Sequence, residues 1–105
     1  MSRRYVLVRI VSDHTVTEEQ FGGALMAAVR RSFGEIGLAR IGPRIVKFDT
    51  ATLLTVIACK QEMVAELEAA VALIPSCGGG SVTPLVIQVS GTIKGLHWRR
   101  MKSHC

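Results

Sequence analysis

The chain opens on an extended, β-branched stretch. Residues 4–12, RYVLVRIVS, put Val6, Val8 and Ile10 on one parity and Tyr5, Leu7 and Val11 on the other, broken by Arg9; this predicts a strand. SDHTVTEEQ then carries helix-start signals: Thr17 as N-cap, Gln20 completing a capping box, and Glu18 and Glu19 in the positive first turn. Phe21, Leu25, Ala28, Val29 and Phe33 share one helical face, which Gly34 or Gly37 is expected to close. Gly22 and Gly23 weaken its first turns and suggest close packing on a sheet. Residues 39–49, ARIGPRIVKFD, read as a strand interrupted at Gly42-Pro43, hence an edge strand or a bulge. DTAT is a turn, and residues 53–59 form the next strand. Residues 61–74 form a second helix, with Met63, Val64, Leu67, Ala70, Val71 and Ile74 inward and Glu62, Glu66 and Glu68 outward. PSCGGGS ends it as a flexible turn, and residues 82–90, VTPLVIQVS, form the last strand.

The order is β-α-β-β-α-β, which predicts an α+β fold of the ferredoxin-like, RNA-recognition-like kind: an antiparallel sheet with two helices on one face. Residues 1–96 make a single domain and residues 97–105 a basic tail. RNA-recognition domains, small-molecule regulatory domains and acylphosphatases all use this topology, so the fold alone assigns no function.

Both parities of the strands are aliphatic, so the face away from the helices needs a cover. Nucleic acid stacked on the sheet is disfavoured, because Tyr5 is the one aromatic such a face could offer. A protein partner or a second copy of the chain is the expected cover. The alternative is the chain's own tail, with Leu96 and Trp98.

Aromatics are 5% of the 105 residues, so the core is aliphatic. Cys59, Cys77 and Cys105 form no CxxC or CxxH pair, which argues against a zinc site or a disulfide framework. His97, His104 and Cys105 lack a fourth ligand partner. No secretory leader is evident, and no window reaches the ~18 apolar residues of a membrane span, so a soluble intracellular chain without membrane association is expected. All carboxylates fall in turns, helix starts or helix exteriors, leaving no pair for acid–base catalysis.

The net charge is +5, and its distribution is informative. Arg3 and Arg4 open the first strand; Arg40, Arg44 and Lys47 run along the second; Lys94, Arg99, Arg100 and Lys102 follow the last. This suits a phosphate backbone, with Trp98 able to stack on an unpaired base. Within QVSGTIKG, residues 88–95, Ser90 and Gly91 allow close approach, Thr92 offers a hydroxyl, Lys94 supplies charge, and backbone N–H groups near the glycines can meet phosphate oxygens. The candidate RNA-binding residues are therefore Arg3, Arg4, Arg40, Arg44, Lys47, Ser90, Gly91, Thr92, Lys94, Arg99 and Arg100.

RYVLVRIVSD, FGEIGLARIGPRIVKFD and VIQVSGTIKGL together resemble the Pop-five family of ribonuclease P and RNase MRP protein subunits, sister to the Rpp-fourteen family. The resemblance covers roughly residues 4–96. Phe33 to Gly37 and Ser90 to Lys94 are its specific parts, and the intact Ser-Gly-Thr-Ile-Lys favours Pop-five. It implies a non-catalytic RNA-binding subunit supporting a catalytic RNA in removing the 5′ leader of precursor tRNA. Magnesium would sit on that RNA, with no cofactor on the protein. Implied partners are ribonuclease P RNA, an Rpp-thirty-like subunit, other ribonuclease P/MRP proteins and, indirectly, precursor tRNA. The implied location is nucleus and nucleolus, or cytoplasm if archaeal. PSCGGGSVTP and HWRRMKSHC depart from the family pattern. Two other readings are a stand-alone regulatory domain that binds a metabolite as a dimer and an acylphosphatase-like enzyme. The second is discounted because the arginine loop after the first strand and any asparagine are missing.

Overall fold

The structure is a computed structural model that describes residues 2–98. Strand β1 (Arg3–Val11) leads to helix α1 (Glu18–Ile41), strands β2 (Arg44–Asp49) and β3 (Leu54–Lys60), a 3-10 turn (Gln61–Met63) and helix α2 (Val64–Ala72). Two short strands, β4 (Ser76–Cys77) and β5 (Gly80–Ser81), precede the last strand, β6 (Thr83–Ser90). The main sheet has four strands in the order β2-β3-β1-β6, all pairs antiparallel. This is the expected ferredoxin-like arrangement, with the β4–β5 hairpin added.

Thr17 caps α1 as its sequence demands: its hydroxyl accepts from Gln20 N–H and the Gln20 side chain accepts from Thr17 N–H. The helix does not stop at Gly34 or Gly37. Gly34 takes non-helical angles (φ 72°, ψ −176°) and kinks the rod, which resumes and ends at Gly42 in the left-handed region (φ 57°). Residues 39–41 are thus helical, and the second strand begins only at Arg44. Phe33, immediately before the break, is 36% exposed instead of sitting on the buried face. A single-residue break in a 3.6-residue repeat rotates every position beyond it.

Val6, Val8 and Ile10 of β1 and Ile57 and Cys59 of β3 pack with Phe21, Leu25, Ala28 and Val29 of α1 and Leu67, Ala70 and Val71 of α2. Phe21 is fully buried, which is worth roughly 2–3 kcal/mol of transfer free energy, and its ring lies 6.2 Å from that of Phe48. Gly22 faces Ile45 on β2, whereas the space at Gly23 is open. The CGGG segment is the tip of the β4–β5 hairpin, with Gly78 and Gly79 at positive φ.

The other sheet face differs from the main expectation. Leu7, Leu54 and Val56 are fully buried there, and it is the chain's own Leu96 and Trp98 that pack on them, with Tyr5 and Val46. A partner is not needed over the middle of this face, because an aliphatic patch this small is closed by one leucine and one indole. On β6 a register shift between Leu7 and Val8 breaks simple alternation: Val86 pairs with Val8 and Val89 with Val6, while Leu85 and Gln88 oppose Arg9 and Leu7. One inserted residue exchanges the faces of everything beyond it.

Candidate nucleic-acid interface

Strand register gathers the cations at one end of the sheet. Arg44, Ala58, Tyr5 and Ser90 form a rank across all four strands, and Arg3 pairs with Lys60 two residues beyond. Arg40 lies in the last turn of α1, which ends at the same place; the Lys60 stem passes Gly42 there. The Arg4 guanidinium lies beside Gly91 and donates to the Arg3 carbonyl at 3.2 Å. Arg3, Arg40, Arg44, Gly91, Thr92 and Lys94 are exposed, and Arg4 and Ser90 half-buried. Lys47 pairs with Val56, farther along the sheet, so it flanks this cluster. Arg99 and Arg100 lie outside the described residues.

The turn after β6 is closed by its own side chains. Ser90 Oγ accepts from Thr92 N–H at 3.2 Å, and Thr92 Oγ1 accepts from Gly95 N–H at 3.0 Å. Those two N–H groups are therefore spent within the turn and are not offered to phosphate. Both hydroxyl hydrogens remain available, as does the Lys94 ammonium. Gly95 has no room for a Cβ, which would overlap Ser90 Oγ; at Gly91 an added Cβ would meet only the mobile end of Arg4, 3.4 Å away.

Sequence reasoning passed over Lys60, Gln88 and the close packing at Gly95. Lys60 joins the cluster only through its register with Arg3, which no local pattern reveals. Gly95 and Gln88 act through contacts within a few residues of each other, but turn propensity carries no signal for them. Acids border the cluster on the helix side: the Cys59 thiol feels Arg3, Glu68 and Glu62, and burial chiefly pushes it up to about 11. Among the described residues no group of three or more His, Cys, Asp or Glu side chains could hold a metal ion. A shallow groove between α1 and β2, lined by Glu18, Glu19, Gly22, Gly23, Met26 and Ile45, is open to solvent and gathers no buried polar set for a metabolite.

A basic end and a hydroxyl-rich turn adjoin a sheet face on which Tyr5 and Trp98 are half-buried against Leu7, Leu54 and Val56. A model of the Rpp14/Pop5 family matches residues 4–99. The chain belongs to the Rpp14/Pop5 family. Among its relatives is ribonuclease P protein component 2 of Pyrococcus furiosus, 30% identical over 94 residues, covering 90% of this chain and 78% of that protein. The same component of Archaeoglobus fulgidus is 33% identical over 92 residues, covering 88% and 82%. A chain in the cryo-EM structure of yeast ribonuclease MRP superposes with a TM-score of 0.74 at 17% identity, over 98% of this chain and 89% of that one, which speaks to the fold. For an Rpp14/Pop5 chain the matched span is telling: it takes in nearly all of β1, both helices and the complete Ser90–Lys94 turn.

Proposed function

We propose that this Rpp14/Pop5 chain is a protein subunit of a ribonuclease P or RNase MRP ribonucleoprotein, binding the RNA through the basic end of its sheet while the RNA performs the cleavage. The observation that carries the reading is the convergence of Arg3, Arg4, Arg40, Arg44, Lys60 and Lys94 with the Ser90–Thr92 hydroxyls on one sheet end. Guanidinium and ammonium groups so placed neutralise successive phosphates and fix the protein's orientation without reading sequence. The names of the archaeal relatives support the same assignment. Lys47 extends the surface along β2, and Arg99 and Arg100 add charge beyond Trp98.

In this reading the protein carries no cofactor, and magnesium belongs to the partner RNA. An Rpp-thirty-like subunit and other proteins of the particle are its protein partners, and precursor tRNA is met indirectly. Cytoplasm is its compartment in an archaeal host, nucleus and nucleolus in a eukaryotic one. No helix among the described residues is long and apolar enough to cross a membrane. The test is RNA binding and 5′-leader removal by particles reconstituted with Lys94→Glu. Affinity or processing should drop, with the circular-dichroism spectrum unchanged. Wild-type binding and processing in that variant would remove Lys94 from the contact surface, and an affinity indifferent to salt would remove the phosphate reading itself.

A further inference from the structure

The RNA reading leaves one feature unused, the outer edge of β6. The sheet ends in two edge strands. Both edges carry a register shift, and β6 also has Pro84, but only β2 is guarded by charged side chains, Arg44, Lys47 and Asp49, a device that keeps an edge from pairing with a foreign strand. Strand β6, Thr83 to Ser90, carries no charged side chain. Leu85, Val86, Ile87 and Val89 are 45, 38, 41 and 38% exposed. Leu85 and Val86 lie on opposite faces, by their register with Arg9 and Val8. Apolar surface therefore flanks the edge above and below.

We propose that this edge docks an extended, uncharged, apolar segment of another protein of the particle, which adds a fifth strand to the sheet. The backbone edge selects a strand, since its N–H and C=O groups repeat at strand spacing. Exposed valine, leucine and isoleucine on both faces select alternating apolar side chains. Nucleic acid is disfavoured because no cation lies along β6, while the cations gather at the end of the sheet. A second copy is disfavoured because each chain carries a net +5, and like-charged chains repel. The proposal rests on the chain working inside a multi-subunit particle.

Hydrogen exchange tests it, comparing the chain alone, with ribonuclease P RNA, and with the purified protein subunits of the same particle. The protein subunits should slow exchange over 85–90 by about tenfold or more, leave the β2 edge unchanged, and lose that effect with Leu85→Lys/Ile87→Lys. Protection that appears only with RNA, or in the chain alone as its concentration rises, overturns the proposal, as does protection under no condition. The wild-type comparison stands even should the double variant fail to fold. Loss of RNA binding with β6 still protected by protein would instead sink the RNA reading alone.

Discussion

The Gln88 side-chain amide donates from Nε2 to the Gly95 carbonyl at 2.8 Å, while its Oε1 accepts from His97 N–H at 2.8 Å. One side chain thus holds both flanks of Leu96 and lowers it onto Leu7, Leu54 and Val56. Leu96→Ala should cost about 2–3 kcal/mol, near the lower end for buried leucine, since its cluster is small. Gln88→Ala should cost about 1 kcal/mol through two solvent-exposed hydrogen bonds. Urea midpoints check both values, and equal losses would show that Gln88 contributes nothing beyond Leu96 burial.

Gly95→Ala should disturb the turn far more than Gly91→Ala. At Gly95 the added methyl overlaps Ser90 Oγ and displaces the bond to Thr92 N–H, whereas at Gly91 it meets the end of the Arg4 side chain, which can swing away. Melting temperature and RNA affinity measured together give the ranking. A Gly91 variant as damaged as the Gly95 variant would show that Arg4 is held in place.

Lys60→Glu should weaken RNA binding as much as Lys94→Glu does, since register sets Lys60 beside Arg3. The log–log salt slope should shrink by about 1 for each phosphate left without its cation. A slope identical to wild type would leave Lys60 outside the footprint.

His14 ties the first loop to the hairpin. Its Nε2–H donates to the Cys77 carbonyl at 2.8 Å, and Nδ1 lies 3.1 Å from the Asp13 carboxylate and 2.9 Å from Ser12 Oγ. The Cys77 carbonyl first, then Asp13, hold its pKa above the ordinary 6.5. A raised folded pKa means the stabilisation is complete below 6.5 and is lost as pH climbs through the folded value. Exchange at residues 76–81 should therefore quicken from about pH 6 to pH 8 beyond the intrinsic base-catalysed rise. His14→Gln should abolish the excess, and a wild type without any excess would contradict the linkage.

Buried Cys59, with its thiol pushed up to about 11, should resist alkylation at neutral pH in the native protein. Half-buried Cys77, also raised by burial, should react slowly but sooner. Peptide mapping after a timed iodoacetamide pulse distinguishes them. Cys59 modified first would mean that the core opens near β3.

The capping box at Thr17, the buried stripe of α1 as far as Val29, and the opposite parities of Val6 and Leu7 were legible because each depends on residues a few positions apart. The element order followed from them, and so did the resemblance carried by Ser90 to Lys94. The kink was less legible. Gly34 was visible as a helix stop, but whether a glycine ends a rod or bends it depends on what packs beyond, and here Ile41 is buried against the core, so the helix continues.

Tertiary structure alone settled how the outer face is closed and where the charge gathers. Leu96 and Leu7 are distant in sequence, and nothing local in either says that they meet. Arg3, Lys60 and Arg44 become neighbours only because antiparallel register aligns three strand ends, and a slip of one residue would separate them. Local propensity fixes which segments are strands and helices; pairing between distant segments fixes which side chains share a surface, and it is there that the proposed RNA-binding surface arises.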